Sequence, residues 1–244
     1  MRYVALATDY DGTLAANGVV SDSTLAALAR FAASGRKLVL VTGRSLDELA
    51  QAFAHVGIFS RVVAENGAVL FATATKEVRL LAEAPPPAFV DALRSRGVEP
   101  VSVGSVIVAT REPFQEVVLE TIRTMGLKLQ VEFNKGAVMV LPAGTNKGTG
   151  LAAALGDMRL SPHDVVGVGD AENDHSFLSM CGVAVSVANA ISSLKLQSDW
   201  VTPSPEGKGV EELVDRVLAD DLQSLAPVAR AGERTRRRGR GRTR

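Results

Sequence analysis

The sequence predicts an α/β protein: a parallel-sheet core interrupted by an inserted α+β cap. Three observations carry that reading. Short apolar, β-prone runs alternate with helical segments up to residue 64 and again after residue 145. Between these stretches, Pro85-Pro86-Pro87 and Pro142-Ala143-Gly144 bracket a segment where helix-strand-strand occurs twice. The 244 residues are 46% hydrophobic, and a chain of that length buries about 70–75% of its unfolded surface. That suits one large domain, or a core domain with a small insertion.

The elements follow in order. Residues 3–8 are a β-prone run ending at Asp9, and 23–33 a helix stopped by Gly35. Residues 37–41 form a second strand, closed by Thr42-Gly43-Arg44. Ser45-Leu46-Asp47-Glu48 has capping-box spacing and opens a helix to about residue 55. A third strand covers 61–64, Glu65-Asn66-Gly67 signals a turn, and 68–71 with 78–81 read as a hairpin. The cap reads helix 88–96, strands 99–103 and 106–110, helix 114–125, and strands 128–133 and 137–141. The βα alternation then resumes with helix 147–155, strand 164–168, helix 172–180 and strand 183–187. A short helix 191–196, a short strand 200–202 and a helix 210–219 complete it. The domain organisation is therefore 1–83 plus 145–222 for the core, 84–144 for the cap, and 223–244 for an Arg-rich tail.

Composition excludes several classes. The apolar content rules out disorder of the whole chain. Cys181 is the single cysteine, so there is no disulfide scaffold. No run approaches 18 apolar residues, so no membrane span is expected, and the first nine residues are too short an apolar run for a signal peptide. A reducing cytoplasm is the expected compartment. Lys+Arg and Asp+Glu both number 27, but residues 230–244 hold eight Arg and one Glu, leaving 19 basic against 26 acidic residues elsewhere. The body is acidic and the tail strongly basic. The tail, without apolar periodicity or aromatics, is expected to be disordered and to bind nucleic acid only nonspecifically, by counterion release.

The chemistry concentrates at strand ends. Asp9 and Asp11, two apart in extended chain, share a face at the C-terminal edge of the first strand, where parallel sheets place ligands. Two close carboxylates call for a cation or a shared proton, and an oxygen-only site suits Mg²⁺. Gly12 and Thr13 let the backbone approach a ligand and offer N–H groups to phosphate oxygens. Thr42 and Gly43 at the second strand end form a possible anion site. Lys147 opens a helix in an Asn-Lys-Gly order that excludes a Walker A loop, yet its charge suits a phosphate or a carboxylate. Gly167-Val168-Gly169-Asp170-Ala171-Glu172-Asn173-Asp174 lacks the third glycine of a dinucleotide fingerprint, and Asp170 and Asp174 bring further anionic oxygens to the same edge. His55, His163 and His175 have no metal-ligand spacing.

Taken together and in this order, Asp9-Tyr10-Asp11-Gly12-Thr13, Thr42, Lys147 and Gly169-Asp170-Ala171-Glu172-Asn173-Asp174 resemble the haloacid dehalogenase superfamily. The resemblance spans roughly residues 3–218 and implies a Rossmann-like core with a type-two cap. Glu65-Asn66-Gly67-Ala68 and Val187-Ala188-Asn189-Ala190 resemble its Cof-type branch, and the compact cap looks most like archaeal-type phosphoglycolate phosphatases. The resemblance implies Asp9 as nucleophile, Asp11 as general acid and base, and Mg²⁺ held by Asp9, the Asp11 carbonyl and Asp170. It implies Thr42, Gly43 and Lys147 as holders of the phosphoryl oxygens, with Asn173 and Asp174 behind them. Arg44 and Asn66 are candidate substrate contacts, and the cap residues Arg111, Glu132, Asn134 and Lys135 are placed to reach over the site. The implied activity is phosphatase action on a small phosphorylated metabolite, either phosphoglycolate or a sugar phosphate. A phosphomutase and a regulatory, nucleic-acid-associated module anchored by the tail are the rivals. A fused or partner ATPase domain is a further expectation, because similar phosphatase-like domains occur ahead of one.

Overall fold

The computed structural model describes residues 1–134 and 136–225. The basic tail, apart from 223–225, and Lys135 lie outside the described residues.

A first group of strands builds an eight-stranded sheet in the order β12-β11-β10-β1-β2-β3-β4-β5. Its members are β1 (Ala5–Thr8), β2 (Lys37–Val41), β3 (Arg61–Ala64), β4 (Val69–Ala72), β5 (Glu77–Leu80), β10 (Val165–Gly169), β11 (Val183–Ser186) and β12 (Trp200–Val201). From β12 to β3 neighbouring strands are parallel, while β3, β4 and β5 pair antiparallel. Every residue of β1 is buried, because helices cover both faces of a parallel sheet and leave no alternation to read. β1 lies between β2 and β10, so the chain leaves it in both directions. That arrangement opens a crevice at the strands' carboxyl ends.

The helices are set by caps and packing. In α1 (Asp22–Ala33), Ser21 accepts the Thr24 N–H, and Thr24, Ala27, Leu28 and Phe31 make one buried stripe. α2 (Leu46–Ala52) starts with the expected reciprocal capping box between Ser45 and Glu48. In α5 (Lys147–Met158) Asn146 and Thr149 cap each other, which fixes where Lys147 enters the helix. α6 (His175–Leu178), α7 (Ser192–Gln197) and α8 (Glu206–Asp220) complete this layer.

Residues between β5 and α5 form the second, antiparallel sheet, ordered β6-β7-β9-β8. Its strands are β6 (Ser102–Val103), β7 (Val108–Arg111), β8 (Leu129–Asn134) and β9 (Ala137–Pro142), with α3 (Pro87–Ser95) and α4 (Gln115–Thr124) on one face. Phe89, Leu93, Val118, Val138 and Val140 form an apolar cluster of their own there. On the opposite face, Ile107, Met139 and Leu141 join the main core. Among the described residues no helix is long and apolar enough to cross a membrane.

Three expectations shift. The strands expected at 99–103 and 106–110 shrink or slide to β6 and β7, because the Ser105, Val106 and Ile107 N–H groups donate to the Glu65 carboxylate instead of to a ladder. The helix expected at 172–180 is a 3₁₀ turn (Glu172–Asp174) followed by α6, since Asp174 folds back onto the Asp170 and Ala171 N–H groups. The last helix begins earlier, at Glu206, and includes Gly207 and Gly209. Those glycines permit close packing: a Cβ would lie 2.4 Å from Thr24 Oγ1 at Gly207 and 2.3 Å from Thr202 Oγ1 at Gly209.

Candidate active site

The site stands on the ends of β1, β2 and β10 and the start of α5. Asp9 follows β1 directly, and its N–H donates to the Val168 carbonyl at 3.0 Å, so the ladder itself holds it. Asp170 follows β10. Its Oδ1 accepts the Thr13 hydroxyl at 2.9 Å, and its N–H donates to Asp174 Oδ2 at 2.8 Å. Lys147, 1% exposed, donates to Asp9 Oδ1 and to Asp174 Oδ1, both at 2.6 Å. One carboxylate oxygen from each of Asp9, Asp170 and Asp174 lies within 4.8 Å of the others.

This cluster is electrostatically unbalanced. Three buried carboxylates lie together, and the one ammonium bonds two of them. Burial pushes the Asp9 carboxyl well above its ordinary range, Lys147 opposes that, and Asp174 and Asp170 add to it. Burial pulls on Lys147 in the other direction, but Asp174 and Asp9 outweigh it and raise its pKa. Hard, anionic oxygens with surplus negative charge fit a magnesium ion.

The remaining expected residues divide. Thr42 is buried, and its Oγ1 accepts the Arg44 N–H at 3.1 Å through a lone pair rather than its own hydrogen. At Gly43 an added Cβ would meet Asn66 Oδ1 at 3.2 Å. The Gly12 N–H, expected to face phosphate, instead closes a turn on the Ala15 carbonyl at 3.0 Å. Its carbonyl accepts Asn189 Nδ2 at 2.8 Å. Asp11 is gripped by Arg44, whose Nε and Nη2 donate to its two oxygens at 2.7 Å each. Arg44, expected to contact substrate, is thus paired with the expected acid-base residue and lies over the Tyr10 ring, 5.0 Å from its centroid. Asn66 is fully buried rather than lining the site. Its Nδ2 donates to Met139 Sδ and its Oδ1 accepts Asn173 Nδ2, both at 3.0 Å.

Over the cluster lies a cavity of about 410 Å³ lined by Asp9, Asp11, Gly43 and Arg44 below and by Gly104, Ile107, Asn134 and Met139 above. Arg111 is exposed. Glu132 sits nearby with Oε2 buried and unpartnered. Burial pushes its carboxyl up to about 7, against the pull of Lys147 and Gln130. In the sequence Glu65 stands only as part of a turn and of the Cof-type motif, and neither gives its carboxylate a partner. The three histidines are absent from the cluster, and Cys181 is buried, with Sγ donating to the Phe177 carbonyl.

A parallel-sheet core that sets a buried aspartate against a buried lysine, roofed by a small inserted sheet, suits a phosphatase-type hydrolase. The haloacid dehalogenase-like hydrolase family matches residues 6–93 and 98–214, and the chain belongs to it, in the Cof-type branch. The chain is 31% identical over 223 residues to a phosphoglycolate phosphatase of Methanothermobacter thermautotrophicus, covering 88% of this chain and 98% of that one. A Haloarcula marismortui phosphoglycolate phosphatase is 30% identical, with coverage of 86% and 95%. Among solved structures, a haloacid dehalogenase-like hydrolase from Bacteroides thetaiotaomicron superposes with a TM-score of 0.75 at 20% identity, covering 88% of this chain and 99% of its own.

Proposed function

We propose that the protein is a Mg²⁺-dependent phosphatase that releases phosphate from a small phosphorylated metabolite, phosphoglycolate or a sugar phosphate, through an aspartyl-phosphate on Asp9. The observation that carries this reading is the buried Lys147, bonded to both Asp9 and Asp174 inside a triad of acids. Burial raises the Asp9 pKa, and the ammonium opposes that by favouring the ionised form, which a nucleophile needs.

Asp9 attacks phosphorus in line. A bond forms from its carboxylate oxygen to phosphorus as the bond to the leaving oxygen breaks, and Asp11 delivers a proton to that oxygen. Asp11 then takes a proton from water, whose oxygen attacks phosphorus and frees Asp9 with release of phosphate. Arg44 holds Asp11 at both oxygens, so in this reading it orients the acid-base group and releases one oxygen when Asp11 carries the proton. Thr42, the Gly43 N–H and Lys147 hold the transferring oxygens, where electrostatic stabilisation does most of the work. A magnesium ion bound by Asp9, Asp170 and the Asp11 carbonyl would offset the repulsion between a phosphate dianion and the acids. Asp174 uses one oxygen for Lys147 and the other for the Asp170 and Ala171 N–H groups, which suits support of the site. The family likeness and the identities near 30% to phosphoglycolate phosphatases favour a small substrate. The protein's expected compartment is the cytoplasm, where a single cysteine calls for no disulfide.

The test is phosphate release across a panel of phosphorylated metabolites with Mg²⁺. Release from one or two of them should vanish with EDTA and in Asp9→Asn, an isosteric change expected to leave the fold intact. Substantial turnover by Asp9→Asn would overturn the nucleophile assignment.

A further inference from the structure

Three of the loops that carry site residues rest against one three-residue turn to which the mechanism above gives no part. Glu65, Asn66 and Gly67 follow β3 with φ of 49°, 51° and 100°. Three successive left-handed residues, two of them not glycine, persist only where the surroundings over-determine them. Here those surroundings are the site. The Glu65 N–H donates to the Arg44 carbonyl at 3.0 Å, and the Asn66 N–H to the Thr42 carbonyl at 3.1 Å. At Gly67 a Cβ would fall 1.9 Å from the carbonyl oxygen of Asn146, the residue before Lys147. Asn66 Oδ1 accepts Asn173 Nδ2 at 3.0 Å. The turn therefore braces the loop after β2, the start of α5 and the loop after β10.

A single carboxylate ties the same turn to the cap. Glu65 is 0% exposed. It accepts the Ser105 N–H at Oε1 and the Val106 and Ile107 N–H groups at Oε2, each at 2.8 Å. Gly104, just before these donors, has no room for a side chain, because a Cβ would lie 2.8 Å from the Glu65 carboxyl. Burying a carboxylate is costly unless hydrogen bonds to the charge compensate. Adhesion alone is already served by Val106, Ile107 and Met139, which pack into the main core. What the carboxylate adds is a fixed point, since three converging donors define one position for it. Gly104 and Ile107 line the cavity over Asp9, so that point also sets the height of the roof.

We propose that Glu65 is a positioning residue for phosphoryl transfer. It pins the cap's 104–107 turn to the turn that braces Thr42, Lys147 and Asn173, so that the cap's placement and the groups around the phosphate are set together. Its kinetic consequence rests on the phosphatase reading; the pin itself does not.

The experiment compares wild type, Glu65→Ala, Glu65→Gln, Gly104→Ala and the Glu65→Ala/Gly104→Ala double variant as full chains. Amide exchange at 105–107 should quicken roughly ten- to a hundredfold in Glu65→Ala, the range expected on losing charge-assisted bonds. On the best substrate of the panel, kcat should fall about tenfold or more, with a smaller change in KM, as misplacement of transition-state groups produces. Glu65→Gln keeps one acceptor oxygen for Val106 and Ile107 and should fall between the two. Gly104→Ala should lower kcat in the wild type and do nothing further once Glu65 is alanine. Unchanged exchange at 105–107 overturns the pin. Quickened exchange with unaltered kcat and KM in the folded variant reduces Glu65 to a structural contact and overturns its positioning role. If Glu65→Ala does not fold, Glu65→Gln and Gly104→Ala decide the same questions. A wild type that releases no phosphate defeats the phosphatase reading alone, while exchange still decides the pin.

Discussion

Glu132 shows how one side chain of the cap is conditioned by the core beneath it. It lies on β8, and the opposite charge that acts on its carboxyl belongs to a residue of the core, Lys147. Burial dominates, holding the carboxyl at about 7 rather than near its unperturbed value. Between the unfolded and folded pKa the native state binds the extra proton. Stability therefore falls as pH rises through that window and levels off above about 7. Glu132→Gln removes the titration. The variant should match the wild type at pH 5 and exceed it at pH 8 by about 1–2 kcal/mol, a figure discounted for partial solvent exposure. Urea unfolding at the two pH values measures this, and an equal difference at both would remove Glu132 as the cause. Asp11 and Arg44 make the complementary point. Their two-point pairing joins residues from different strand ends, and neither local sequence carries a signal for it.

At the scale of elements, α5 is the helix on which the site depends most, and its glycines are not equivalent. A Cβ at Gly150 would meet Val63 Cγ1 at 2.4 Å and Gly67 Cα at 2.5 Å, whereas Gly156 has nothing within 4 Å. Gly150→Ala should thus cost about 1–3 kcal/mol by overpacking, and it should impair turnover by moving the start of α5 off the bracing turn. Gly156→Ala should be neutral or stabilising by up to about 1 kcal/mol through helix propensity. Thermal melts of the two variants decide it, and a harmless Gly150→Ala would mean that the packing gives way easily. The same helix marks the limits of reading from sequence. Its start is legible, because the chain resumes its βα alternation just after the Pro142-Ala143-Gly144 boundary, and the structure adds the Asn146 cap. Legible too are β1, β2, β3, β10 and β11, whose apolar runs end at the residues that matter. The cap's first hairpin is not, because the backbone donors of residues 105–107 leave the ladder for Glu65, some forty positions earlier in the chain. The beginning of α8 is hidden for a similar reason. Gly207 and Gly209 signal a loop, yet what they record is the approach of α8 to Thr24 and Thr202.

On the scale of the whole molecule, the acids of the site come together only when the sheet closes. Asp9 stands at the end of β1, and Asp170 and Asp174 follow β10, which pairs with β1 along its whole length. The unfolded chain has no such cluster, so a cation that binds it acts on the native state alone and stabilises by mass action. Magnesium at about a hundred times its dissociation constant is worth roughly 2.7 kcal/mol, which corresponds to a rise in Tm of about 5–10 °C for a chain of this size. Asp170→Asn makes the sign of the argument testable. Without metal, the three clustered carboxylates repel one another, and the amide relieves part of that while keeping an Oδ1 to accept the Thr13 hydroxyl. The variant should therefore melt no lower than the wild type in EDTA, and below it in Mg²⁺, because only the wild type gains from the ion. A Tm of the wild type that ignores Mg²⁺, or a shift that survives Asp170→Asn in full, would show that the triad is not where the cation binds.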